Sequence, residues 1–188
     1  QVAPTGLPDE LDLLSYLDLL GRELFNRYTD TWNVADLEAA ITALQHVVQA
    51  APPDAADRSE YLNHLGVGLR VRYERTTNIA DLEEAISASQ QAVEVAPLDL
   101  PERPELLRNL GIARHDRYMH SRRQADLNAA ITAFRQAVED TPVKSPDRSI
   151  RLTSLGAGLL DLYKCTKNRA DLEKAITAFQ QAIETASS

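Results

Sequence analysis

Four histidines, one cysteine and two recurrent charged columns are the side chains of this 188-residue sequence with chemical potential. His46, His64, His115 and His120 show no HExxH or other metal-ligand spacing. His115 and His120 are five residues apart, a poor match to one helix face for a shared metal. They read as solvated or packing histidines. Cys165 stands beside Lys164 and Lys167, a basic setting that favours thiol reactivity. A lone cysteine without an organised histidine, however, is seldom a nucleophile. A single cysteine also excludes an internal disulfide and a cysteine-based zinc site. No Gly-rich phosphate loop and no GxSxG elbow is present. The expectation is a chain that is not an enzyme, with no catalytic residue, no cofactor and no metal.

The elements that carry these residues announce themselves by repetition. Ala-Asp-Leu occurs at Ala35-Asp36-Leu37, Ala80-Asp81-Leu82, Ala125-Asp126-Leu127 and Ala170-Asp171-Leu172, 45 residues apart each time. Leu-Gly recurs in the same register at Leu20-Gly21, Leu65-Gly66, Leu110-Gly111 and Leu155-Gly156. So do Tyr28, Tyr73, Tyr118 and Tyr163, and Leu17, Leu62, Leu107 and Leu152. Each copy reads as two helices. In the second copy Leu62, Leu65, Leu69 and Tyr73 step along one helical face, and Leu82, Ile86, Ala92 and Val93 mark a second helix after a turn at Thr76-Thr77-Asn78. The Asp36 column sits where a helix N-cap is expected, and Glu84 would complete a capping box after Asp81. Pro52, Pro97 and Pro142 close the second helices, and Pro101 and Pro146 suit the first turn of the next ones. The spacing predicts eight helices over 9–29, 34–50, 55–76, 80–96, 101–121, 125–140, 146–166 and 170–186.

The balance of charged (26%) and hydrophobic (44%) residues is that of a globular protein. The net charge of −8 argues against a nucleic-acid binder or a binder of anionic membrane surfaces. No apolar run is long enough to span a membrane. The lone cysteine fits a reducing, cytoplasmic setting. The chain opens at Gln1 without a charged-then-apolar leader, and reads as a processed chain or a piece of something longer.

Ala85, Ser89, Ala92 and Pro97, then Ala130, Phe134, Ala137 and Pro142, then Ala175, Phe179 and Ala182 resemble the second half of a tetratricopeptide (TPR) repeat. The Leu-Gly of each first helix resembles the other half. The 45-residue unit is longer than a standard TPR and is similar to the arrays of large fungal and actinobacterial proteins, which often precede a caspase-like CHAT protease module. The resemblance implies an all-α fold: an α-α superhelix, or TPR-like solenoid, of four helix-turn-helix repeats and eight helices. It would form one domain over 1–188, with repeats at about 9–52, 55–97, 100–142 and 145–188.

A residue present in every copy serves stacking, and a variable exposed one is free to serve recognition. The Tyr column therefore reads as core. Arg27, Arg72 and Arg117, replaced by Leu162, read as stems lying over the core with heads near the Asp column. Asp57-Arg58, Glu102-Arg103 and Asp147-Arg148 read as helix-start pairs. By resemblance, the first helices line a concave groove for an extended peptide or a partner helix. Its positions would be Asp18, Arg22, Phe25 and Asn26 in the first copy, with Ser15 beside them. Glu60, Asn63, Val67 and Arg70 follow in the second. Arg108, Ile112, His115 and Asp116 follow in the third, and Thr153, Leu160 and Asp161 in the fourth. The carboxylate clamp of chaperone-binding TPRs is absent, because its places hold Asp18, Arg22, His64, Glu105 and Asn109.

The expected function is a protein-interaction scaffold that docks a protein or peptide partner in this groove. Two alternatives stand beside it. One is self-association through apolar terminal helices, since Leu11, Leu13, Leu14, Leu17, Leu19 and Leu20 crowd the first helix. The other is a sensor arm of a larger CHAT-type protease.

Overall fold

The computed structural model describes residues 10–186, with side chains described from Leu13 onward, so that Asp9, Ser187, Ser188 and the side chain of Leu11 lie outside it. Among the described residues there are eight helices and no strand. They are α1 (Glu10–Thr31), α2 (Val34–Ala50), α3 (Arg58–Thr76), α4 (Ile79–Val95), α5 (Arg103–Ser121), α6 (Gln124–Glu139), α7 (Arg148–Thr166) and α8 (Arg169–Ala186). They fall into two compact units, Gln1–Val95 with α1 to α4 and Ala96–Ser188 with α5 to α8.

Each odd helix turns into the next even one over the same tight corner. Trp32, Thr77, Arg122 and Lys167 hold positive φ angles of 56–58°, the left-handed conformation that ends a helix. The backbone N–H of Thr77 donates to Tyr73 O at 2.7 Å, and that of Arg122 to Tyr118 O at 2.7 Å. The side chain of the residue after Trp32, Thr77 and Lys167 then caps the next helix: Asn33, Asn78 and Asn168 Oδ1 accept from the N–H groups of Ala35, Ala80 and Ala170.

That corrects the expectation for the Asp column. Asp36 lies inside the first turn, buried, and its two oxygens are taken by Arg27, with Nε at 2.8 Å and Nη2 at 2.5 Å. Arg72 grips Asp81 in the same two-pronged way at 3.0 and 2.7 Å. Arg117 reaches Asp126 at 3.0 and 2.7 Å. A bidentate guanidinium satisfies the carboxylate more completely than a backbone N–H does, so asparagine is left to cap. Glu84 accepts from Gln45 Nε2 instead of closing a capping box. The Arg stems and heads otherwise lie where the sequence places them.

The odd helices α3, α5 and α7 begin at Arg58, Arg103 and Arg148, later than the spacing predicts. The preceding residues form tight turns, with Arg58 N–H on Ala55 O and Arg148 N–H on Ser145 O. Pro101 and Pro146 stand before their helices, and Pro104 occupies the first turn of α5. Arg58 and Arg148 reach back to carbonyls in the last turn of the previous helix, at Val48 O (3.2 Å) and Val138 O (2.8 Å), and just beyond it, at Ala51 O (2.7 Å) and Thr141 O (2.6 Å).

Leucine and alanine build the core of each unit. In the first, Leu37, Ile41, Leu44, Val47, Leu62, Leu69 and Leu82 are fully buried. In the second, Leu127, Ile131, Leu159 and Ala175 gather around Tyr118, and Val138, Leu152 and Ala182 form a further cluster. The paired helices approach through glycine: a Cβ on Gly66 would lie 2.7 Å from Ser89 Oγ, and one on Gly111 would lie 2.5 Å from the Phe134 ring.

Candidate functional site

The residues expected to line a groove divide between the two units. In the first, α1 and α3 lie side by side, joined by Asp18, Arg22, Glu60 and His64 and, further along, by Arg75 Nη1 donating to the Tyr28 hydroxyl at 3.3 Å. Asp18 is buried, and its Oδ1 lies 2.8 Å from His64 Nδ1. Arg22 Nε stands 3.2 Å from Asp18 Oδ2, and its Nη1 lies 3.8 Å from Glu60 Oε1. Asp18 is therefore a strut between two repeats, not an open contact point. Oxygen and nitrogen donors of Asp18, Glu60 and His64 lie within 4.8 Å of one another, the geometry of a cation site. The Arg22 guanidinium already supplies positive charge to both carboxylates.

Next to this strut lies a concavity of about 360 Å³, lined by Leu19, Arg22, Glu23, Phe25, Asn26, Leu44, His64 and Val67. It brings together four of the expected residues: Arg22, Phe25, Asn26 and Val67. It adds four that sequence reasoning did not place there. The signal for one of them was in the repeat columns, because Leu44 stands where the later copies carry Ser89, Phe134 and Phe179. The hydrocarbon of Phe25, Leu44 and Val67 forms its apolar wall, and Arg22, Asn26 and His64 are its polar groups. Of the remaining expected residues in this unit, Glu60 is exposed, Asn63 is half-buried and Arg70 pairs with Glu74 one turn on.

The second unit presents a different set. His115 Nε2 lies 2.8 Å from Asp161 Oδ2, joining α5 to α7, and Lys164 Nζ donates to Asp161 Oδ1 at 2.7 Å. Burial works to raise the Asp161 carboxyl, but the hydrogen bonds from Lys164 and His115 outweigh it and hold its pKa below the usual carboxylate range. Arg108 donates to Glu105 Oε1 at 2.8 Å, and Arg151, which the sequence did not single out, lies 3.6 Å from the other oxygen of Glu105. The Nε atoms of Arg108 and Arg151 are buried and without a hydrogen-bond partner. Ile112, Asp116 and Leu160 are half-buried, and Thr153 is exposed with its hydroxyl donating to Ser149 O at 2.9 Å. His46 and His120 are exposed on α2 and α5. Cys165 is exposed, with Sγ 2.9 Å from the Tyr118 hydroxyl. That contact, with burial, raises the Tyr118 phenol above its ordinary value.

Helix pairs closed by a left-handed corner, with small residues where the pairs meet, define the architecture. The chain has the TPR-like helical-repeat fold. It is similar to the solved structure of BtubC (BKLC) from P. vanneervenii, with a TM-score of 0.70 and 16% identity over 98% of this chain and 67% of that one. It is similar to a Podosopora anserina protein described as a kinesin light chain with nearly identical TPR-like repeats, at a TM-score of 0.66 and 15% identity over 96% and 78%. MamA gives a TM-score of 0.62 and 18% identity over 93% and 78%. No family model matches the sequence, and no curated protein matches it. No helix among the described residues is long and apolar enough to cross a membrane.

Proposed function

We propose that this chain is a protein-interaction module whose first helices dock a partner segment, with the concavity of the first unit as the anchor. The carrying observation is its composition: an apolar wall of Phe25, Leu44 and Val67 beside Arg22, Asn26 and His64. A volume of about 360 Å³ is at the small end of ligand clefts and suits a single bulky side chain. Asn26 offers an amide that can bond the backbone of an extended peptide. Arg22 and Glu60 already face each other, so the anchor favours an apolar residue over a charged one.

Leu44→Phe tests this, because the same column already accepts Phe134 against Gly111. Random peptides displayed on phage and selected on the unaltered chain should share a large apolar residue. They should lose binding to Leu44→Phe while its melting temperature stays within a few degrees. Peptides that bind both proteins equally, or a selection that converges on no apolar residue, would sink the reading.

A further inference from the structure

In the second unit α5 and α7 lie side by side, and two arginines meet between them. Arg151 of α7 is 6% exposed. Its column reads Tyr16, Tyr61, Leu106 and Arg151, and both Tyr61 and Leu106 are buried core residues. A guanidinium therefore stands where the stack elsewhere packs an aromatic or aliphatic side chain. Arg108 of α5 is half-buried, and its column holds Asp18, Asn63 and Thr153 in the other copies. Stacking asks for neither arginine, and a buried departure from the local rule points to function.

The pair is incompletely served. Burying a guanidinium is costly unless hydrogen bonds replace its water. Arg151 meets carboxylates at ion-pair range: Nη2 lies 3.6 Å from Glu105 Oε2, and Nη1 lies 3.6 Å from Asp147 Oδ2. Arg108 Nη1 donates to Glu105 Oε1 at 2.8 Å. Both Nε groups are buried and unpartnered. The Glu105 carboxylate thus lies between two guanidiniums, bonds one of them and falls short of the other. Its side chain is 40% exposed, which gives it room to swing into solvent, and the Asp147 side chain is more exposed still.

We propose that Arg108 and Arg151 form a receptor for a phosphate monoester, the dianionic end of a phosphorylated side chain on a partner protein, and that Glu105 holds its place. A monoester brings three acceptor oxygens and about two negative charges, so it can bond both guanidiniums where a carboxylate bonds one. The planar fork of arginine matches phosphate geometry. The net charge of −8 disfavours long polyanions, whereas a single phosphate needs only this local pair. The site shares no residue with the concavity of the first unit, so the two readings fail separately.

N-acetyl-phosphoserine amide tests this, with N-acetyl-aspartate amide as the carboxylate control at constant ionic strength. The readout is the pair of Nε–H signals of Arg108 and Arg151 in heteronuclear NMR of the full chain. Phosphoserine should shift both signals to saturation, and aspartate at the same concentration should not. Glu105→Gln should bind phosphoserine about tenfold more tightly, because a competing charged hydrogen bond is gone. Glu105→Ser, the residue this column holds at Ser15, serves the same purpose. Arg151→Leu, the residue its column holds at Leu106, should abolish the response at Arg108 and keep the fold, since an apolar side chain replaces a buried charge. Arg108→Asn, after Asn63, should likewise abolish the response at Arg151. The proposal is overturned if aspartate shifts both signals as phosphoserine does, or if neither folded Glu105 variant binds more tightly. It is equally overturned if folded Arg151→Leu and Arg108→Asn both still saturate with phosphoserine.

Discussion

The two units answer one packing problem with different side chains. In both, a glycine of the first helix meets the second helix of its own repeat. Against Gly21 the partner is Leu44, and against Gly111 it is Phe134, whose ring would lie 2.5 Å from an added Cβ. The phenyl ring also comes within 3.5 Å of the Cβ position of Gly158 in the next repeat. Leucine is shorter, and the first unit keeps a concavity at this place. Both units also tie neighbouring first helices with a histidine–aspartate pair at 2.8 Å, yet His64–Asp18 and His115–Asp161 occupy unrelated columns. Columns that fill the stack are kept from copy to copy, and columns that face outward vary.

The sharpest way to break this comparison is to truncate one column in two copies. Ile131→Ala removes a buried side chain under α7 and should cost about 2–5 kcal/mol. Ile176→Ala, on the uncovered face, should cost under about 1 kcal/mol in the same urea titration, since surface changes are small. Equal losses would mean that the α8 face is packed after all. The glycines come next. Gly111→Ala must displace an aromatic ring and should destabilise by about 1–3 kcal/mol. Gly68→Ala, whose Cβ would meet only Ile41 Cγ1 at 3.2 Å in a column that holds Ala113, should be near neutral by thermal melting.

Smaller effects sharpen the comparison at the polar end. The hydrogen bond from Arg27 holds Asp36 below its ordinary pKa of 3.8, and Asp161 is lowered likewise. A carboxylate lowered in the folded state stabilises fully above the unfolded value, and loses that contribution as pH falls through the folded one. Melting temperature should therefore drop as pH decreases below about 4, and Asp36→Asn should flatten that acid limb. Last, Thr77 is β-branched at a φ of 56°. Thr77→Gly should stabilise by about 0.5–1 kcal/mol, because a left-handed L residue costs roughly 1–2 kcal/mol and glycine returns part of that as unfolded-chain entropy. A loss on this substitution would show that the Thr77 side chain contributes more than its strain.

Much of the helical plan was legible from periodicity, because stacking imposes one residue type on a column in every copy. Leu37, Leu82 and Leu127 were readable as core for that reason, as was the Arg stem leading to the Asp column. The cap was misread because aspartate and asparagine have nearly the same local preference. What separates them is Arg27, nine residues upstream of Asp36 and close only through the fold. Asp18 was read as open to a partner from its place on the helix, but it is buried by His64, 46 residues away. No local pattern encodes such a pairing.

The sequence by itself determined the number of helices, their order, the tight corner between partners and the residues that must be small, since each of these follows from local propensity and from repetition of one unit. The tertiary structure decided which carboxylates are struts and where Leu44 leaves a space. These depend on distances between residues far apart in the chain, and such distances exist only once the helices are packed.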